Sequence, residues 1–190
     1  KVKKVIDLCS RLGIKYLRIF AGFSPVEEVT GERWEIMIEC LKEVGEYAKK
    51  KNVIPTVETH GGVNAYDDGV EHFYSTSSEP RVLIEMLDQL PDSIMVNFDA
   101  ANLYAVGIER PERVYELIKD RVCCLHLKDF VRLPSGHLLP AACGESDMDW
   151  KAIITSLKDF KGPAMFEYEN TGDVEQGLNR CLEFIQKNLQ

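Results

Sequence analysis

Three carboxylates and one imidazole stand out by what precedes them. Glu58, Asp99, His126 and Glu167 each follow a short apolar run: Val53 to Val57, Ile94 to Phe98, Val122 to Leu125, and Pro163 to Phe166. If those runs are parallel strands, the four side chains arrive on one rim, where active sites of such sheets are built. Three carboxylates crowded beside one imidazole repel one another unless they are protonated or share a cation. A divalent ion removes the repulsion, and a mixed oxygen and nitrogen donor set suits Mn2+, Mg2+, Co2+ or Zn2+. One acidic residue where a strand meets a loop is ordinary; four consecutive strand ends, each acidic or His, point to a metal site. Glu169 lies on the same strand face as Glu167 and competes for its place.

Neighbouring residues admit two readings each. His60, in Glu58-Thr59-His60-Gly61-Gly62, either binds substrate hydroxyls or caps its loop. Lys128 shares a face with His126 by alternation, and either neutralises substrate charge or pairs with Asp129 at the surface. Asn102, three residues past Asp99, is within reach of the rim. His72 and His137 fall in loops and are expected to be solvated.

The elements that must position these side chains alternate. A helix over Val2 to Leu12 ends at Gly13. A strand over Lys15 to Phe20 follows, then a helix from Gly31 to Lys50 with Trp34, Ile38, Leu41, Val44, Tyr47 and Ala48 on one face. After the strand ending in Glu58 comes a long loop, Thr59 to Ser78, then a helix over Arg81 to Leu90 and the strand ending in Asp99. Pro111 opens a helix over Glu112 to Lys119. The strand ending in His126 leads to a second loop, Phe130 to Asp147. Asp147 or Asp149 caps a helix over Trp150 to Leu157. The last strand ends in Glu167, and a helix from Val174 to Leu189 carries Val174, Leu178, Cys181, Leu182 and Ile185 on one face. This alternation predicts a parallel sheet with crossover helices, five strands in all. Pro55 is an objection, because proline removes a ladder donor.

Composition narrows the partners. With 23 basic against 31 acidic residues and a net charge of −8, the chain repels phosphate backbones, so nucleic acid is a poor partner. The run Lys49-Lys50-Lys51 reads as the solvated end of a helix. No stretch approaches ~18 consecutive apolar residues, so no membrane span is expected. The six cysteines show no C-x-x-C spacing and lie mostly in apolar runs, which predicts free thiols and a cytoplasmic location.

The segments VETHGG from Val57, NFDAAN from Asn97, CLHLKD from Cys124, CGESDMDW from Cys143 and GPAMFEYE from Gly162 resemble, in order and spacing, the sugar phosphate isomerase/epimerase superfamily of xylose isomerase-like barrels, which also includes endonuclease IV. The resemblance implies an α/β fold of (β/α)8 TIM-barrel type. Residues 1–190 would then be the C-terminal part of such a barrel, strands four to eight, without the first three. It further implies one divalent metal on Glu58, Asp99, His126 and Glu167, with Glu58 and Glu167 also exchanging a proton with substrate carbon. Asn102 stands where many of these epimerases carry His. Endonuclease IV needs extra His ligands, and four His in this chain are too few for a DNA-repair site.

The expected function is a sugar or sugar-phosphate isomerase or epimerase of carbohydrate metabolism, moving a proton through an enediolate on a ketose or polyol. His60, Asn102 and Lys128 are its expected substrate contacts. A dehydratase on the same site is the alternative, and a non-catalytic binding module the third reading. No Gly-rich phosphate cradle of the P-loop type appears. The expected partner is a small sugar or polyol, with a homo-oligomer suggested by the open sheet edges.

Overall fold

The computed structural model describes residues 1–188, so the expected helix end at Leu189 lies outside the described residues. Helix α1 (Val2–Leu12) leads to strand β1 (Tyr16–Ile19), helix α2 (Glu32–Lys49) and strand β2 (Ile54–Glu58). Strands β3 (Gly62–Tyr66) and β4 (Gly69–Phe73) precede α3 (Pro80–Gln89) and β5 (Met95–Asp99). Next come α4 (Ala100–Ala105), α5 (Pro111–Ile118), β6 (Val122–Leu127), β7 (Asp129–Arg132) and β8 (Leu138–Ala141). Helix α6 (Trp150–Ser156), strand β9 (Ala164–Phe166) and helix α7 (Val174–Asn188) complete the fold.

The five expected strands form one sheet in the order β1-β2-β5-β6-β9, every pair parallel. Strand order follows chain order, with helices making the crossovers, so the sheet is an arc of a (β/α) barrel with β1 and β9 as its outer strands. Parallel sheets are covered on both faces, which is why these strands read as apolar runs. Val57, Val96, Phe98 and Leu125 are buried in the sheet, and Ile38, Leu41, Leu83, Met86, Leu87, Val114, Ile118 and Ile153 pack from the helices. Each such side chain contributes roughly 1.5–3 kcal/mol on burial. On α7, Cys181 and Ile185 face inward, whereas Val174 and Leu182 stay exposed.

Local signals set the boundaries. Gly13 takes the left-handed conformation, φ 70, that closes α1. Asp149, not Asp147, caps α6, accepting from Ala152 N at 2.9 Å. Pro55 pairs with β1 through Leu17, and the ladder to β5 opens one residue later at Thr56↔Met95. The missing proline donor therefore falls before that ladder begins.

Both expected long loops contain strands. β3, β4, β8 and β7 form a second, antiparallel sheet. Because β3 follows β2 and β7 follows β6, this sheet lies at the C-terminal rim of the first. In its hairpin β3–β4, β3 is exposed beyond Gly62 and no residue of β4 is fully buried, so no buried face imposed an alternating pattern on the sequence. The six cysteines are free, four of them buried. No helix among the described residues is long and apolar enough to cross a membrane.

Candidate metal centre

Sheet register brings the four strand-end residues together. Glu58 on β2 lies opposite Asn97 on β5, Asn97 shares a face with Asp99, and Asp99 lies opposite His126 on β6. Glu167 follows β9, its backbone N–H donating to Leu127 O at 3.1 Å. One ligand atom from each of the four lies within 4.8 Å of the others. The imidazole is central: His126 Nδ1 is 3.0 Å from Glu58 Oε1, 3.2 Å from Glu167 Oε2 and 3.7 Å from Asp99 Oδ2. Glu58 and Asp99 have no exposed surface, and the Glu167 side chain keeps 23% of its own.

Such crowding needs positive charge. Burial works against an imidazolium at His126, but the carboxylates of Asp99, Glu167 and Glu58 around Nδ1 overcome it and raise its pKa to about 11. Burial pushes the Glu167 carboxyl up, yet the His126 hydrogen bond and the Lys128 charge hold it well below the usual carboxylate range. Lys128 Nζ reaches Glu167 Oε2 at 3.2 Å and Glu169 Oε2 at 2.8 Å. Arg18 Nη1 is 2.6 Å from Glu167 Oε1 and 3.2 Å from Glu58 Oε2. That second approach is an ion pair by distance but lacks hydrogen-bond geometry: Glu58 Oε2 and Asp99 Oδ2 are both buried with no hydrogen-bond partner. Buried carboxylate oxygens without donors are costly. Carboxylate oxygens and one imidazole nitrogen are a donor set that a divalent cation accepts, so these residues fit a metal.

The other singled-out residues are placed as follows. Asn102 is fully buried at the first turn of α4, where its N–H donates to Asp99 Oδ1 at 2.9 Å and its Nδ2 to Glu58 Oε1 at 3.3 Å. Lys128 is 3% exposed, so it is not a surface lysine. Glu169 is exposed and pairs with Lys128, leaving the cluster to Glu167. His60 is half-buried, edge-on to the rings of Phe20 and Phe23, with its carbonyl accepting from Ser75 Oγ at 2.5 Å. Gly61 follows because a Cβ there would stand 2.6 Å from Val106 Cγ1 and 2.7 Å from Phe73 O. His72 is not solvated: it lies half-buried on β4 against Phe130, with Nδ1 buried and unpartnered. His137 stacks on Tyr66 and pairs with Asp68.

Sequence reasoning passed over Arg18 and Asn97. A charged residue inside the otherwise apolar run of β1 was the available signal for Arg18. Asn97 carries no charge and sits in a buried strand, so only the structure reveals that its Nδ2 lies 2.9 Å from His126 Nε2.

Three solved structures share this architecture. A xylose isomerase domain protein from Planctomyces limnophilus superposes with TM-score 0.76 at 20% identity, over 98% of this chain and 62% of that one. A probable 3-DHS dehydratase, AsbF, from Bacillus anthracis gives 0.78 at 12% identity, over 96% and 68%. A D-allulose 3-epimerase from Methylomonas sp. in complex with D-allulose gives 0.68 at 16% identity, over 98% and 67%. The chain thus spans about two thirds of the length of these proteins, and at such identities the likeness carries the fold alone. No curated protein matches the chain. The family profile described as xylose isomerase-like TIM barrel matches residues 1–188, the same span that builds the parallel arc and its rim. The chain belongs to the xylose isomerase-like TIM barrel family.

Proposed function

We propose that this chain carries the catalytic centre of a divalent-metal-dependent sugar isomerase or epimerase, acting on a ketose or related polyol by proton transfer. The observation that carries this reading is the convergence of Glu58, Asp99, His126 and Glu167, one ligand atom each, within 4.8 Å. These four residues would hold the ion. A divalent ion held there would supply Lewis acidity toward a carbonyl oxygen and an adjacent hydroxyl.

The remaining work falls to the chain's own groups. Glu58 and Glu167 approach His126 from different strands, β2 and the end of β9. One takes the proton from the carbon beside the carbonyl and the other returns it. Lys128 and Arg18 keep Glu167 ionised and oriented. His60, with Phe20 and Phe23, forms an aromatic wall that meets substrate directly. Asn102 and Lys128 are covered, and they act on substrate through Glu58 and Glu167 or where a bound sugar displaces those contacts.

The test is turnover of ketoses and inososes by metal-loaded protein in deuterated water, followed by NMR. Deuterium at the carbon beside the carbonyl, lost in Glu58→Gln and Glu167→Gln, supports the reading. Loss of water from the substrate would instead make the enzyme a lyase. Full activity in excess chelator would sink the metal-dependent mechanism.

A further inference from the structure

Asn97 lies on β5 two residues before Asp99 and is 1% exposed. Its carboxamide meets His126 at Nε2, 2.9 Å away, on the side of the ring opposite the carboxylates. Glu58 Oε1, Glu167 Oε2 and Asp99 Oδ2 all face the other nitrogen, Nδ1, at 3.0, 3.2 and 3.7 Å. A cation gathered by those oxygens therefore meets Nδ1. A neutral imidazole that gives one nitrogen to a metal carries its proton on the other. That Nε2–H then needs an acceptor, and Asn97 is the group beside it.

The carboxamide has one of each kind of end. With Nδ2 toward the ring, Asn97 Oδ1 is buried with no partner. Half a turn of the amide exchanges two ends of nearly equal shape, and it gives Oδ1 the ring proton. The same exchange gives the orphaned oxygen a donor.

We propose that Asn97 is a positioning residue: its Oδ1 accepts a hydrogen bond from His126 Nε2–H, fixing the tautomer and ring angle that present Nδ1 to a divalent cation. This rests on the metal reading above. Partners of this kind on the far nitrogen of a ligating His typically hold metal affinity up by about 10- to 100-fold. The competing arrangement has Asn97 Nδ2 donating to Nε2, with the ring proton on Nδ1 among the carboxylates.

The experiment uses protein labelled with 15N-histidine, zinc as the probe ion, and the variants Asn97→Leu and Asn97→Asp. Long-range proton–nitrogen correlation spectra assign the ring proton of His126, and competition with a chromophoric chelator gives zinc affinity. Expected are a proton on Nε2 in zinc-loaded wild type and zinc binding about 10- to 100-fold weaker in Asn97→Leu. Asn97→Asp, which can only accept, is expected to bind zinc at least as well as wild type. A proton on Nδ1, unchanged affinity in Asn97→Leu, or Asn97→Asp falling as far as Asn97→Leu would each overturn the proposal. If wild type binds no zinc, the metal reading fails. The metal-free spectrum then decides: a hydrogen-bonded Nε2–H that is lost in Asn97→Leu upholds the contact, and its absence in wild type removes it. Should Asn97→Leu not fold, the wild-type spectrum and Asn97→Asp carry the decision.

Discussion

Arg18 Nη1 lies 2.6 Å from Glu167 Oε1, a pair that joins β1 to the end of β9, the two outer strands of the arc. The same nitrogen is 3.2 Å from Glu58 Oε2. One guanidinium thus occupies oxygens of two of the four metal-capable residues. A guanidinium and a divalent ion compete there, because each neutralises the same carboxylates. Replacing Arg18 by Met is expected to tighten Mn2+ binding about fivefold, the equivalent of ~1 kcal/mol, measured by calorimetry. It is also expected to lower the melting temperature of metal-free protein, where the carboxylates lose their cation. Weaker Mn2+ binding in the variant would show that the orienting of Glu167 by Arg18 outweighs its competition for the carboxylate oxygens.

Asp99 separates the two jobs of a buried carboxylate. Its Oδ1 accepts from Asn102 N at 2.9 Å and caps α4, whereas Oδ2 has no hydrogen-bond partner. Asp99→Asn keeps an oxygen for the cap and removes one of the crowded charges. Metal-free protein should therefore tolerate the change, with a melting temperature equal to or above wild type. Wild type at about 100 times the dissociation constant of its ion should gain ~2.7 kcal/mol from binding, and the variant should lose most of that gain. Thermal melts with and without chelator measure both effects. A variant stabilised by the ion as strongly as wild type would remove Asp99 from the ligand set.

How much of this was legible in the sequence depends on what each residue must satisfy. The five strands of the arc were readable because both of their faces are buried, which forces runs such as Val53 to Val57 and Ile94 to Phe98. The rim followed from strand direction alone, and with it the placement of Glu58, Asp99, His126 and Glu167. The hairpin β3–β4 was not legible, because Val63, Asn64, Ala65 and Tyr66 are all exposed and no core selects their pattern. Asn102 and Lys128 could be placed near the site, but not buried beneath it, because burial of a polar group depends on partners from distant strands. Arg18 pairs across 149 residues of chain with Glu167, a distance no local pattern records.

His72 is expected to make stability fall in mild acid. Burial, with the charges of His60 and Lys128 and against the weaker pull of Asp99, lowers its pKa from 6.5 to about 4. The unfolded chain binds a proton near pH 6.5, whereas the folded chain resists until about pH 4. The stability tied to neutral His72 is whole above pH 6.5 and drains away as pH falls toward 4. The shift corresponds to at most about 3 kcal/mol. His72→Phe keeps a ring against Phe130 and cannot charge, so its stability relative to wild type should rise across that window. Urea melts at a series of pH values in chelator measure it. Parallel curves for the two proteins would mean that solvent reaches His72 readily.

Asp129 is expected to hold the turn before α6 through its charge and not through its shape. Its Oδ2 accepts from Gly144 N at 2.8 Å, Ser146 N at 3.3 Å and Trp150 Nε1 at 2.8 Å, while Oδ1 accepts from Phe130 N at 2.9 Å. The side chain is nearly fully buried, and burial raises its pKa despite these donors. Gly144 adopts φ 88, and any side chain there would run into Phe184, so the turn has no room to find other partners. An asparagine of the same size offers one oxygen and turns an N–H₂ toward groups that also donate. Asp129→Asn should therefore destabilise nearly as much as Asp129→Ala, by about 3 kcal/mol, or roughly 6–12 °C in a chain of this length. Trp150 fluorescence should shift in both variants, because both lose the carboxylate acceptor on its indole. If Asp129→Asn melted like wild type, three donors would be sharing one amide oxygen, and the carboxylate would be present for some purpose other than the turn.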